Sequence, residues 1–157
     1  MKSHFFAYIA RMRYITRWAL MRNTFSENIQ EHSHMVAVLA HALAVIRNRV
    51  YGGNIDAGQV TLAALYHDAS EIITGDMPTP IKYYAPEIRD AYKKVEAVAC
   101  DRLLSMLPDE LKPDYARVLE CADRDILTLV KAADKLSAYI KCVEELKAGN
   151  AEFRRAA

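Results

Sequence analysis

A histidine and an aspartate stand side by side at the end of an apolar run, and this pair constrains the fold most. The run covers residues 60–65, and His67 and Asp68 follow it after Tyr66. Burying an unpaired imidazole and carboxylate is unfavourable, because both lose their hydration. A divalent cation removes that cost, since both groups are ligands for it. The pair therefore predicts a metal site at the end of a helix.

Two distant residues are candidates to complete the metal shell. His32 lies in the first turn of one apolar helical pattern, and Asp134 lies within another. The predicted ligand set is His32, His67, Asp68 and Asp134, taken from three helices. Two imidazoles and two carboxylates leave coordination positions open for water and a substrate oxygen, which is typical of a catalytic site. Asp134 alone, between Lys131 and Lys135, is equally typical of a surface carboxylate.

Helical periodicity covers most of the chain, and no stretch alternates like a strand for more than a few residues. We predict helices over residues 3–14, 30–49, 54–67, 87–106, 110–121 and 124–148, with irregular segments at 15–27 and 74–80. The expected inner face of the second helix consists of His32, Met35, Val36, Leu39, Leu43 and Ile46. The predicted fold class is all-α, a single-domain helical bundle with the metal site among its core helices.

Composition excludes several classes of function. The 157 residues carry a net charge of +1, which argues against a nucleic-acid polymer as the main partner but not against a small anion. No apolar run approaches the roughly 20 residues of a membrane span, so we expect no membrane partner. Cys100, Cys121 and Cys142 have no paired spacing and are expected to be reduced and buried. The expected location is the cytoplasm.

Charged and aromatic residues near the His-Asp pair suggest further chemistry. Glu71 lies one helical turn after Asp68, where it can orient a metal-bound water or take its proton. Asp76 lies in a Gly- and Pro-containing loop and is a candidate acid toward the leaving oxygen or a contact for a sugar hydroxyl. Arg17 offers a fork for phosphate oxygens, and Trp18 offers a wall against a sugar or base. The alternative for these last two is an aromatic plug over the core beside a solvated arginine.

The order His32, His67-Asp68, Asp134 resembles the motif of the HD-domain metal-dependent phosphohydrolases. A closer resemblance, to the bacterial YfbR-type 5′-deoxynucleotidases, is carried by residues 3–7, 17–18, 20–23, 31–33, 66–71, 74–80, 139–142 and 144–146. It implies hydrolysis of deoxyribonucleoside 5′-monophosphates to deoxynucleoside and phosphate, with a metal-bound water as the nucleophile. It also implies an HD-type fold over residues 1–157, a homodimer, and one divalent transition metal. Cobalt is the expected activator, with manganese, zinc, nickel, iron or copper as alternatives.

The resemblance also assigns roles to residues. The implied metal ligands are His32, His67, Asp68 and Asp134. The implied substrate contacts are Arg17, Trp18, Asp68, Asp76, Met77, Pro78, Thr79 and Asp134, and the implied catalytic residues are Glu71, Asp76 and Arg17. Met77 stands where relatives often have leucine. The chain stops sooner than its relatives, so the C-terminal helical part and the dimer surface are expected to be incomplete.

Three other functions are consistent with the residues themselves. One is another HD activity, on cyclic nucleotides or nucleoside triphosphates. The second is a catalytically silent nucleotide-binding regulator that keeps the fold and the metal, although Glu71 and Asp76 argue against it. The third is a helical interaction protein whose histidines bind nothing.

Overall fold

The computed structural model describes residues 3–156, and over that span its regular structure is helical, with one isolated antiparallel bridge between Thr16 and Asn28. The α-helices, in chain order, are α1 (Phe5–Ile9), α2 (Ile29–Val50), α3 (Ala57–Tyr66), α4 (Glu71–Thr74), α5 (Thr79–Lys82), α6 (Pro86–Ser105), α7 (Lys112–Leu119) and α8 (Arg124–Lys147). Two 3-10 helices cover Ala10–Tyr14 and Ala151–Arg155. The predicted all-α class is confirmed.

Side-chain caps set where the site-bearing helices begin. The Asn28 side chain accepts hydrogen bonds from the backbone N–H groups of Gln30 and Glu31, both at 3.0 Å, and the Glu31 carboxylate accepts from the Asn28 N–H at 3.3 Å. This capping box fixes the first turn of α2. The Asp56 and Asp123 side chains cap α3 and α8 by accepting hydrogen bonds from backbone N–H groups of the first turn. The start of α2 places His32 on the inward face, where it is fully buried.

The main core lies where α2, α3 and α8 cross, and small residues dominate it. Its buried members are Val36, Ala37, Ala40, Ala44, Val60, Ala63, Ala64, Val130 and Ala133. Alanine at a helix crossing lets the helix axes approach closely. The predicted inner face of α2 is therefore wrong in two positions, because Met35 is 42% exposed and Ile46 is 46% exposed. The buried face is centred on Ala37, Ala40 and Ala44, while these larger apolar residues flank it.

Two predicted boundaries also differ from the structure. The first predicted helix is α1 followed by a 3-10 turn, and the Ser3 hydroxyl donates to the carbonyl of Met106, 2.9 Å away. The segment 74–80 is not entirely irregular, because α5 begins at Thr79 with Pro80 in its first turn. Proline is tolerated there, since the first N–H groups of a helix have no intrahelical partner. The Gly- and Pro-containing loop therefore ends two residues earlier than predicted.

The three cysteines were all expected to be buried, and the structure bears this out for one of them. All three cysteines are free thiols; Cys142 is buried, and Cys100 and Cys121 are half-buried. Burial raises the pKa of the Cys100 thiol to about 11, so it stays protonated near neutral pH. Among residues 3–156, no helix combines the length and the apolar character that a membrane crossing needs.

The segment between Ile15 and Asn28 is irregular, as predicted, and a buried carboxylate at the end of α8 holds its backbone. Glu145 is fully buried and accepts hydrogen bonds from the N–H groups of Thr24 and Phe25, at 2.9 and 3.0 Å. Asn150 Nδ2 donates to the same carboxylate at 2.9 Å. The Lys141 ammonium lies between Glu145 and the Phe25 carbonyl and donates to both. We call this group, Glu145 with Lys141 and Asn150, the loop anchor.

The Glu145→Gln variant should be less stable than wild type at neutral pH, by roughly 3 kcal/mol in the free energy of unfolding. The change leaves the buried Lys141 charge unpaired. Burial alone would raise the pKa of Glu145, but the donors around it hold that pKa well below its ordinary 4.5. The stabilisation is thus present above about pH 4.5 and is lost as the pH falls further.

Urea unfolding at several pH values measures this effect. The difference between wild type and Glu145→Gln should narrow in acid. Glu144→Gln, the same change at the exposed neighbouring position, is the control and should behave as wild type. Equal stability of all three proteins at neutral pH would contradict the prediction.

Candidate metal centre and substrate cleft

The structure brings the four predicted ligands to one place. His32 comes from the first turn of α2, His67 and Asp68 follow α3, and Asp134 comes from the middle of α8. One candidate ligand atom from each of His32, His67 and Asp68 lies within 4.8 Å of the others. Asp134 Oδ1 lies 3.0 Å from His32 Nε2. Three separate helices therefore converge on one cluster of imidazole nitrogens and carboxylate oxygens.

Two buried polar atoms in this cluster lack hydrogen-bond partners among the described residues. They are His67 Nε2 and Asp68 Oδ2, which lie 3.1 Å apart but not in hydrogen-bonding geometry. His67 Nδ1 lies 2.7 Å from the Ala64 carbonyl oxygen, and a carbonyl only accepts, so Nδ1 carries the hydrogen. The lone pair of Nε2 is then directed at the carboxylates. A divalent cation satisfies both atoms, so the residues fit a metal ion.

The orientation of His32 is set from α8. Ser137 Oγ lies 3.2 Å from His32 Nδ1, on the opposite side of the ring from Asp134. Ser137 is one helical turn after Asp134, so the same face of α8 supplies both contacts. In the absence of a cation, Nε2 donates its hydrogen to Asp134. With a cation, Nδ1 would carry the hydrogen and donate to the Ser137 hydroxyl.

The charged groups of the cluster shift one another's pKa values. Burial opposes the charged form of His67, but the carboxylates of Asp68 and Asp134 outweigh it and raise the pKa of the imidazole. Burial would raise the pKa of Asp68, but His67, His32 and Arg17 lower it to about 2. Burial would also raise the pKa of Asp134, but the hydrogen bond from His32 and the charge of His67 together lower it. Both carboxylates are therefore ionised near neutral pH and available to a cation.

Arg17 and Trp18 lie at the edge of the cluster. Arg17 Nη1 is 3.5 Å from Asp68 Oδ2, and the Arg17 side chain is only 13% exposed. The alternative of a solvated arginine is therefore wrong. Burial opposes the charge of Arg17, but Asp68 and Glu27 keep its pKa above the ordinary value. Trp18 has a φ of 60°, and no other non-glycine residue among those described has a positive φ. Its ring packs against that of Phe153, with 5.3 Å between the ring centroids.

Glu71 and Asp76 lie near the cluster. Among the described residues, neither forms an ion pair with Arg17 or with a histidine. Glu71 is buried, and its Oε2 has no partner there. Burial, with the charges of Asp68 and Asp76, raises the pKa of Glu71 to about 9. Burial also raises the pKa of Asp76, partly offset by Arg17. Two carboxyl groups with raised pKa values beside two ionised ones are typical of acid–base sites.

The remaining predicted substrate contacts follow Asp76 directly along the chain. Met77 and Pro78 are half-buried, and Thr79 is exposed at the start of α5. Thr79 is three residues after Asp76, so it lies within about 11 Å of it. All three residues therefore lie near Asp76, and their contacts with a substrate stay predictions.

A family model described as 5′-deoxynucleotidase YfbR-like matches residues 4–157. The chain belongs to this family. Among its relatives, a 5′-deoxynucleotidase of Photobacterium profundum is 55% identical over 157 residues, which cover 99% of this chain and 81% of the relative. A 5′-deoxynucleotidase of Vibrio cholerae matches with the same identity and coverage. The resemblance stated from the motifs is confirmed.

Solved structures with the same fold agree with this family. An HD-domain phosphohydrolase from Listeria innocua superposes with a TM-score of 0.82 at 22% identity, over 94% of this chain and 71% of its own. The cyanophage S-2L HD phosphohydrolase, bound to dA and one catalytic Zn²⁺ ion, has a TM-score of 0.64 at 26% identity. That match covers 87% of this chain and 69% of the phage protein. The YfbR-like chain therefore has an HD-type fold.

Sequence reasoning missed two side chains that support the cluster. Ser137 carried a usable signal, because it lies three positions after Asp134 on the same helix face. Glu27 has no such signal in the sequence, because it lies ten residues from Arg17 in an irregular segment. Its carboxylate nevertheless contacts both Arg17 and Trp18. Only the folded backbone brings these residues together.

Adding Mn²⁺ or Co²⁺ to metal-free protein should raise the melting temperature. An ion that binds the folded state at 100 times its Kd stabilises it by about 2.7 kcal/mol, which for a domain of this size corresponds to roughly 5–10 °C. Asp68→Asn should lose most of the increase, because it removes a charged ligand.

Differential scanning fluorimetry with and without chelator measures the shift. His41→Asn, a change at an exposed position of α2, is the control and should keep the full increase. Wild-type protein with no metal-dependent shift would contradict the assignment of the cluster.

Proposed function

We infer that this chain is a metal-dependent phosphomonoesterase that hydrolyses deoxyribonucleoside 5′-monophosphates to deoxynucleoside and phosphate. One observation carries the inference: His67 Nε2 and Asp68 Oδ2, which lack hydrogen-bond partners among the described residues, lie beside an arginine that is only 13% exposed, in a member of a 5′-deoxynucleotidase family. A cation and a guanidinium at one place suit a phosphate monoester. The dA and Zn²⁺ bound by the phage phosphohydrolase support the same class of substrate and ion.

His32, His67, Asp68 and Asp134 would hold the ion, and the donor set fits a transition metal better than calcium. When bound, the ion supplies an activated water and neutralises negative charge on the phosphate. Cobalt is our proposed activator, on the family resemblance, and zinc is supported by the phage protein.

Arg17 is proposed to bind the phosphate. Its Nε is already engaged by Glu27 at 3.0 Å, and its Nη1 lies 3.5 Å from Asp68 Oδ2, so phosphate oxygens would bind the terminal Nη groups beside the metal ligands. The guanidinium stays charged throughout the physiological pH range. It therefore stabilises the charge that develops on the phosphate oxygens as the P–O bond breaks.

Glu71 and Asp76 are proposed as the proton-transfer groups. Glu71 lies in the first turn of α4, on the Asp68 side. Its raised pKa of about 9 applies without a cation. The charge of a bound cation would favour the ionised carboxylate, which would orient the attacking water and accept its proton. For Asp76 we propose the leaving-group role: a carboxyl whose pKa is raised by burial is suited to protonate the departing 5′-oxygen. Met77, Pro78 and Thr79 are proposed to contact the nucleoside together with Trp18.

Further features of the protein rest on the family resemblance or on the composition of the chain. We propose that residues 1–157 form one HD-type domain, that the protein is a homodimer, and that it acts in the cytoplasm. We propose no nucleic-acid polymer and no membrane as partner.

Phosphate release should be fastest with deoxyribonucleoside monophosphates. Assayed with several added metals, dAMP should be hydrolysed well above AMP, dATP and a cyclic dinucleotide. Trp18→Ala should lower the dAMP-to-AMP ratio by about tenfold or more, because the ring would no longer exclude the 2′-hydroxyl.

Tyr14→Ala, which removes an exposed aromatic ring outside the cluster, is the control and should leave the ratio unchanged. Preferred hydrolysis of dATP or of the cyclic dinucleotide would assign the site to a different HD activity. No release from any substrate would favour a silent regulator.

Asp76→Asn should lower kcat on dAMP and on 2′,3′-dideoxyadenosine monophosphate by the same factor, about 10²–10⁴, if Asp76 protonates the leaving oxygen. A contact to the 3′-hydroxyl predicts a different result. In that case wild type would discriminate between the two substrates, and the variant would not. Steady-state kinetics on both substrates decides between the two roles.

A further inference from the structure

We propose that Glu27 is a positioning residue that holds Arg17 and Trp18 in one fixed arrangement, so that phosphate binding and sugar selection depend on a single carboxylate. The proposal rests on the proposed function, in which these two residues contact the nucleotide. The side chain of Glu27 hydrogen-bonds to Arg17 and Trp18 rather than to the metal ligands. Glu27 therefore acts on the substrate only through these two partners.

One oxygen atom makes both contacts. Glu27 Oε2 accepts a hydrogen bond from Arg17 Nε at 3.0 Å and from Trp18 Nε1 at 2.9 Å. The side chains of Glu27 and Arg17 are 16% and 13% exposed, so water competes little for these bonds. Charge-assisted hydrogen bonds of this kind are stronger than neutral ones and have restricted geometry.

The backbone places Glu27 opposite its partners. The Arg17 N–H donates to the Glu27 carbonyl at 2.9 Å, and the Ile29 N–H donates to the Ile15 carbonyl at 3.0 Å. With the bridge between Thr16 and Asn28, these bonds form a short antiparallel pairing. The start of the segment is thereby held against the residues just before α2, and α2 carries His32.

This arrangement determines which atoms face the site. Binding Arg17 through Nε leaves Nη1 directed to the cluster, 3.5 Å from Asp68 Oδ2. The Trp18 backbone occupies the left-handed region that non-glycine residues rarely adopt, and such a conformation persists only where surrounding contacts hold it. The hydrogen bond to Glu27 holds one edge of the ring, and Phe153 packs against the ring at 5.3 Å.

The Glu27 side chain is not needed to hold the segment on the protein. The loop anchor binds the backbone of Thr24 and Phe25, and Asn150 donates to the Arg22 carbonyl at 2.7 Å. None of these contacts involves Glu27. Removing its carboxylate should therefore release the Arg17 and Trp18 side chains while the path of the backbone is retained.

Trp18 is the single tryptophan of the chain, so its fluorescence reports on the proposal without substrate or metal. In Glu27→Ala, we expect a shifted emission maximum, lower anisotropy and stronger acrylamide quenching. We expect kcat/KM for dAMP to fall about tenfold to a hundredfold and the dAMP-to-AMP ratio to fall with it. Glu27→Gln, which can still accept through its amide oxygen, should be intermediate in every readout. Glu110→Ala, at an exposed position, should match wild type.

A second experiment separates positioning from general stability. In a background that already carries Arg17→Ala and Trp18→Ala, adding Glu27→Ala should leave the residual kcat/KM unchanged, because Glu27 acts only through those residues. A further loss in that background would overturn the proposal. So would unchanged fluorescence, or unchanged dAMP-to-AMP selectivity, in Glu27→Ala.

The substrate roles of Arg17 and Trp18 and the positioning role of Glu27 are tested by different variants. If Arg17→Ala and Trp18→Ala retain wild-type turnover and selectivity, their proposed substrate roles are wrong, and the proposal for Glu27 is overturned with them. If those variants are impaired while Glu27→Ala and Glu27→Gln are not, the substrate roles stand and only the positioning role is overturned.

Discussion

The structure depends on the burial of several acidic groups around two imidazoles and one guanidinium. Asp68 and Asp134 are ionised, whereas Glu71 and Asp76 have raised pKa values because the neighbouring charges and burial disfavour two further anions. Such a cluster destabilises the fold unless positive charge is close. Arg17 supplies part of it, and a divalent cation would supply the rest. Repulsion among these acidic groups therefore both destabilises the metal-free protein and favours binding of the ion.

The site has two parts that are held by different means. The metal ligands come from helices whose crossing is packed with alanine and valine, so their spacing is fixed by the core. Arg17 and Trp18 come from an irregular segment with little apolar packing of its own. Hydrogen bonds hold that segment: the loop anchor binds its backbone, and Glu27 binds its functional side chains. Hydrogen bonds therefore position the substrate residues, whereas close packing of the core positions the metal ligands.

Local signals in the sequence were sufficient to predict the helices and the residues that gather at the cluster. The capping box at Asn28 and the adjacent His67-Asp68 act within one or two helical turns, so they can be recognised without a fold. The face of α2 was partly wrong because large apolar residues dominate a periodic pattern, whereas alanines occupy the crossing. Glu27 could not be recognised, since irregular chain rather than helical spacing brings its partners to it. For Glu145, only Lys141 lies at helical spacing, whereas the backbone N–H groups that it binds come from the irregular segment. The roles of the site residues remain predictions.

Helix α8 carries both Asp134, at the metal cluster, and Glu145, in the loop anchor. Eleven positions separate them, which corresponds to about 16 Å along the helix axis. Helical geometry therefore sets the distance between the metal cluster and the loop anchor, which holds the segment that bears Trp18. One residue inserted between them would turn Glu145 by about 100° around the axis and remove it from its partners. Length changes in this part of the gene should be tolerated far less than in the surface loop before α3.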